Sequence, residues 1–213
     1  TLRREQEKLT DSVSLEPLAQ PPRFAAGVDV SYFGDDQGVA AYALVEIASQ
    51  RVVWSAVITR RIAFPYISTF LAFRETPLLL ELLDEVEQAG RAADVVFVDG
   101  AGALHPRGAG SASHLGVAAD VPTIGVAKTY LCGELDASGL TLGEIRPIMY
   151  DGKIRGAAIR PRTGGAKPLY ASPGHRTDVE TAGRLTAELC VDHRLPEPLY
   201  WADRLGRDEI ARR

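Results

Sequence analysis

FAAGVDVSYFGDDQGVAAYALVEIASQRVVWSAVITRR, residues 24–61, is the stretch whose reading decides the fold. Its first ten residues alternate with the two-residue period of a strand. Phe24, Ala26, Val28, Val30 and Tyr32 fall on one face, and Ala25, Gly27, Asp29 and Ser31 on the other. Two more strand segments follow, GVAAYALVEIA and RVVWSAVITRR, separated by polar turns at 34–38 and at Ser49-Gln50. Connections this short dictate an antiparallel three-stranded meander.

Downstream, TPLLLELLDEVEQAG reads as a helix with Thr76 as its N-cap, Pro77 at its first position and Gly90 just past its end. A start near Thr69 is the alternative, and it would place Pro77 inside as a kink. ADVVFVDGAG and VPTIGVAKTYL are apolar strands joined by the short helix SASHLGVAAD, an order that implies parallel pairing. A hairpin about Asp151-Gly152, a short strand, a helix from Val179 to about Val191 and a last helix after Pro198 complete the chain. TLRREQEKLTDSVS, ahead of the Pro21-Pro22 break, reads as one more helix. A meander feeding a helix and then parallel strands is the element order of an α/β, ribonuclease H-like mixed sheet flanked by helices. With no repeat or linker in the sequence, residues 1–213 are expected to form a single domain.

A chain of 213 residues buries a core without covalent staples. Its two cysteines, Cys132 and Cys190, form neither a disulfide ladder nor a zinc spacing. No apolar run reaches the roughly 18 residues of a membrane span, and the charged N-terminus is unlike a signal peptide, so a cytoplasmic protein without membrane contact is expected. The net charge of −4 argues against holding nucleic acid by bulk electrostatics. Basic clusters at Arg60-Arg61, 155–162 and 204–213, together with a divalent cation, are the available counterweight.

Asp29 is the most informative residue. A carboxylate inside an apolar strand is costly unless something compensates. It is either a partnered or edge aspartate, or a metal ligand. Asp99 ends the strand VVFVD, at the carboxyl end where ligands of parallel sheets gather. If the two strands are neighbours, the two carboxylates repel unless a cation lies between them, and oxygen donors suit Mg²⁺ or Mn²⁺. Glu75, where the chain enters its long helix, is either a third acidic ligand or a solvated glutamate. Lys128 follows the strand TIGVA, which ends on the same expected face, and is either part of the site or a snorkelling surface lysine. Of the histidines at 105, 114, 175 and 193, none forms a zinc spacing. His175, in SPGHR, is placed to orient a water or to pack, and His105 lies in the loop after Asp99. The Gly100-Ala101-Gly102 turn lacks the third glycine of a dinucleotide fingerprint, and no nucleophile elbow is present.

VDGAGALHPRGAGSASHLGVAADVPTIGVAKT resembles the endonuclease V family, and the likeness continues in GVDVSY, PYISTFLAFRE, SPGHRTDVETA and LPEPLYWAD, from about Gly27 to Asp203. The resemblance implies a Mg²⁺-dependent endonuclease, with Mn²⁺ able to substitute, acting on DNA or RNA that contains deaminated bases such as inosine. It implies a cut one nucleotide 3′ of the lesion, leaving 3′-hydroxyl and 5′-phosphate ends. It further implies that Asp29 and Asp99 bind the metal with Glu75 completing the cluster, that Lys128 and His175 lie close to the scissile phosphate and its water, and that His105 organises the loop around the lesion. Tyr66 falls at the tip of the family's wedge. Where the family reads Pro-Tyr-Ile-Pro-Gly, this chain has Ser68 and Thr69 in the last two places, which alters the part of the loop that approaches the extruded base. Tyr200 replaces an arginine common in the last motif. A family-fold nucleic-acid binder, or a phosphodiesterase with weak inosine selectivity, is the competing expectation.

Overall fold

The computed structural model describes residues 1–213 apart from Tyr66, Ser68, Thr69 and 164–166. The meander is present: β1 (Phe24–Phe33), β2 (Gln37–Glu46) and β3 (Arg51–Arg61) pair antiparallel in sequence order. β1 then takes β4 (Val95–Asp99) as a parallel neighbour, and β4 takes β5 (Thr123–Ala127). The hairpin β6 (Ile145–Tyr150) and β7 (Lys153–Ile159) joins the sheet through β8 (Leu169–His175), which runs antiparallel to both β5 and β7. The result is one eight-stranded mixed sheet in the order β3-β2-β1-β4-β5-β8-β7-β6.

Helices cover both faces because the central strands are apolar on both. Along β4, Val96 and Val98 join Ala26, Val28 and Tyr42 under α2 (Leu71–Gln88) and α3 (Ser111–Ala119), packing on Leu78, Leu82 and Leu115. The alternate residues Val95 and Phe97 join Ala25, Ile124 and Val126 under α4 (Val179–Leu189) and α5 (Glu197–Ala211), packing on Leu185, Leu189 and Leu199. The amino-terminal helix α1 (Leu2–Thr10) lies beside α3 and the loop before it, where buried Gln6 donates to the Ala109 carbonyl at 2.6 Å and accepts from Arg107 Nε at 2.6 Å.

Gly27 sets how closely α5 approaches β1, since a Cβ there would stand 2.1 Å from the carbonyl oxygen of Pro198. No helix among the described residues is long and apolar enough to cross a membrane.

The expected cap at Thr76 is corrected. α2 begins at Leu71 and Pro77 lies inside it. Thr76 Oγ1 instead meets His114 Nδ1 of α3 at 3.1 Å. The ring of Pro77 is exposed, so the helix tolerates it on its solvent side. The earlier start carries Glu75 into the helix and buries it, leaving 9% of its surface exposed.

Candidate active site

The parallel ladder between β1 and β4 ends at the pair Val28 and Val98, and the next residue on each strand is a carboxylate, Asp29 and Asp99. By strand alternation both belong to the face covered by α4 and α5. Glu75 reaches the same place from α2 on the other face, past the end of the β1–β4 ladder. These three carboxylates and Lys128, which follows β5, line one cleft of about 410 Å³ with Leu71 and Leu131 at its walls. Four of the residues singled out in the sequence therefore meet.

The electrostatics of the cleft are those of crowded, desolvated acids. Burial, then the charges of Asp99 and Asp203, push the Asp29 carboxyl up to about 6, against a weak contact from Ser31 Oγ at 3.5 Å. Glu75 is pushed up to about 8, chiefly by burial, with Asp29 and Asp99 adding to it. Tyr32 donates its hydroxyl to Glu75 Oε1 at 2.8 Å and resists ionisation because of its burial and that neighbouring carboxylate. The Lys128 ammonium pairs with Asp99 Oδ2. Burial disfavours its charge, but Asp99, Asp29 and Asp203 together outweigh burial and raise its pKa.

Asp203 is a fourth acid that the sequence reading passed over. It stands on α5, its charge is felt by both Asp29 and Lys128, and it is bridged by Arg207 one turn on. Sequence alone presents it as one half of a surface i,i+4 pair, and the close passage of α5 over Gly27 brings its charge near the cleft, whose lining it does not join.

His175 is a correction. β8 is antiparallel to β5, so His175 pairs with Thr123 at the start of β5, whereas Tyr170 pairs with Ala127 at the end that carries Lys128. His175 is buried at the far end of the strand, its Nδ1 accepting from Ser14 N at 3.2 Å and its Nε2 lying 3.6 Å from Asp120. It does not join the carboxylates. His105 is buried in the loop after β4, its Nδ1 accepting from Arg107 N at 3.1 Å, and it is not among the residues lining the cleft. Tyr200 is a packing residue, stacked on His193 with ring centroids 3.3 Å apart. His193 Nδ1 in turn meets the buried Glu197 carboxylate at 2.9 Å. Tyr66, Ser68 and Thr69 lie outside the described residues.

The donor set fits a hard divalent cation: all-oxygen, acidic, and carrying mutual repulsion that a cation relieves. Among the described residues no three acidic, imidazole or thiol groups already converge as a formed cage. Closing on an ion draws on the second oxygen of Glu75, whose Oε1 stays with Tyr32, and on Asp99 turning from Lys128.

Comparison with known proteins meets this geometry from the other side. The family model described as Endonuclease V matches residues 7–204. The endonuclease V of Ignicoccus hospitalis is 42% identical over 204 residues, covering 95% of this chain and 90% of its own. The crystal structure of human ENDOV superposes with a TM-score of 0.88 at 35% identity, covering 99% of this chain and 97% of that one. The Ciona intestinalis enzyme, solved with a 24mer DNA containing an inosine followed by a ribo-adenosine, superposes with a TM-score of 0.86 at 26% identity, covering 98% and 96%. A chain matched along nearly its whole length, with its acidic cleft at the end of the central strands, belongs to the endonuclease V family of nucleases.

Proposed function

We propose that this protein, acting as a single domain, is a Mg²⁺-dependent endonuclease that hydrolyses a phosphodiester one nucleotide 3′ of a deaminated base, inosine above all, in DNA or RNA. The observation that carries this reading is the meeting of Asp29, Glu75, Asp99 and Lys128 in one cleft. The Ciona relative bound to inosine-containing DNA supports the substrate.

Asp29 and Asp99 would hold the cation, with Glu75 and Asp203 completing the acidic set. When bound, the cation supplies Lewis-acid stabilisation of charge on the phosphate. A water oxygen bonds to phosphorus in line as its O–H bond breaks, the P–O3′ bond breaks, and O3′ takes up a proton that balances the one the water gives to solvent, leaving 3′-hydroxyl and 5′-phosphate ends. Released from Asp99, the Lys128 ammonium faces the same phosphate and stabilises the charge that develops there. Tyr32 keeps Glu75 oriented from behind. In this reading Tyr66 fills the gap left by the extruded base, Ser68 and Thr69 line its path, and His105 supports the neighbouring loop. Extrusion costs a few kcal/mol, least for a weakly paired base, which favours inosine.

The test is incubation with single- and double-stranded inosine oligonucleotides, with Mg²⁺ or with EDTA. Asp29→Ala and Asp99→Ala should each lower the Mg²⁺-dependent rate on the order of 10²–10³-fold. Asp29→Ala should melt no lower than the parent, because the aspartate it removes is desolvated and repelled by its neighbours. Normal cleavage by either variant overturns the assignment.

A further inference from the structure

The lip of the cleft carries a feature that metal chemistry does not use. Immediately after Lys128 and Thr129 the chain exposes two large apolar side chains in succession, Tyr130 at 38% and Leu131 at 48%. Leu131 lines the cleft itself. Tyr130 leans on Tyr170 of β8, with ring centroids 5.3 Å apart and planes at 54°. Tyr170 is in turn seated against the buried cluster of Leu104, Ile148 and Ala158.

The pair is braced from below. The Arg194 guanidinium donates to the carbonyls of Lys128 at 3.5 Å, Lys167 at 3.2 Å and Pro168 at 3.2 Å, tying the segment that carries Tyr130 to the one that leads into Tyr170. Exposing an aromatic ring to water is unfavourable, and fixing it in place adds nothing to core packing. Both make sense if the ring has a flat apolar partner that arrives from solution, since a pre-ordered ring loses little freedom on binding. Lys128 stands two residues before Tyr130 and exposed Lys167 three residues before Tyr170, so both segments that carry the rings also carry positive charge suited to a strand's phosphates.

We propose that Tyr130, backed by Tyr170, is a stacking platform for the base of one nucleotide flanking the scissile phosphate. The ligand follows from the nuclease reading of the adjoining cleft, on which this inference rests. The platform is sequence-tolerant, because every base offers a π-face, so it positions the strand without reading it.

The experiment is fluorescence anisotropy with labelled inosine oligonucleotides, Ca²⁺ replacing Mg²⁺ to keep the strand uncut. Each of the three nucleotides on either side of the expected cut is replaced in turn by an abasic one, which removes a base and keeps its phosphate. For the parent protein, one position should weaken binding about tenfold. Tyr130→Ala should bind the intact strand about tenfold more weakly and be indifferent to abasic replacement at that position. Tyr130→Phe and Tyr130→Trp should restore both affinity and the abasic effect. If no position couples to Tyr130, or if Tyr130→Ala lowers the melting temperature while leaving affinity unchanged, the rings merely pack and the proposal fails. Absence of inosine-directed cleavage in the separate Mg²⁺ assay would remove the reading of function and leave this binding measurement standing.

Discussion

At the scale of the residue, His105 shows how a buried side chain is kept in one protonation state. Burial, helped by the charge of Arg107, holds its imidazole down at about 4, so it is neutral at neutral pH and free to accept the Arg107 N–H. Between the ordinary histidine value of about 6.5 and 4, the unfolded chain binds a proton that the folded one refuses. Stability therefore rises with pH across that window, is complete above 6.5, and is lost as pH falls toward 4, by at most about 3 kcal/mol. In thermal melts the stability advantage of the parent over His105→Gln should grow from pH 5 to pH 7. A constant difference would show that His105 does not titrate as a buried group. Residues of this kind were legible in the sequence to unequal degrees. Asp29 and Asp99 announced themselves because an acid in or at the end of an apolar strand has few ordinary explanations. Asp203 did not, because its i,i+4 arginine makes it look like any solvated helix pair. His175 misled because a Pro-Gly-His turn does not reveal which way its strand runs, and the antiparallel β8 carries it to the wrong end of the sheet.

At the scale of the element, α5 does for the cleft what its sequence motif alone does not disclose. It begins at Glu197 after Pro196, and its first turn passes directly over Gly27, two residues before Asp29 on the same face of β1. Buried Glu197 fastens that turn by accepting from Asp192 N at 3.2 Å and Trp201 Nε1 at 3.1 Å. A methyl group at position 27 cannot be accommodated 2.1 Å from a carbonyl oxygen, so α5 must lift away. Gly27→Ala is expected to destabilise by about 1–3 kcal/mol, the usual range for overpacking. It should also lower Mg²⁺-dependent cleavage, because Asp203 moves off with the helix. A chemical denaturation curve and a rate at saturating Mg²⁺ check both. Unchanged stability would mean that α5 has room to shift unaided. The meander was legible as a set of elements because its turns are too short for any other topology. The insertion of β8 between β5 and β7 was not, since hydrophobic periodicity fixes which side chains share a face but neither the partner nor the direction of a strand.

At the scale of the whole molecule, the question is how a protein of net charge −4 holds a polyanion. The basic clusters visible in the sequence offer less than they appear to. Arg60 is engaged by Glu81 and Glu85, and Arg61 by Asp36. Arg204 and Arg207 are engaged by Asp208 and Asp203 on their own helix, and Arg213, just past its end, by Glu209. In the cleft itself Lys128 is paired with Asp99. Two of the three clusters are thus held by carboxylates, while Arg155, Arg160 and Arg162 of the third have no carboxylate partner among the described residues; in the proposed function binding draws on these, on the divalent ion, on a pocket for the extruded base and on stacking at Tyr130. These differ in salt dependence. Each phosphate neutralised on duplex DNA contributes a slope of about −0.9 to the logarithm of affinity against the logarithm of salt concentration, whereas stacking contributes little. The expected slope for inosine duplex is about −2 or shallower, measured by anisotropy over a range of NaCl at fixed Ca²⁺. A slope of about −5 or steeper would mean that several of these arginines leave their carboxylate partners for the backbone, and that the ion pairs are a store of phosphate contacts rather than a fixed part of the surface.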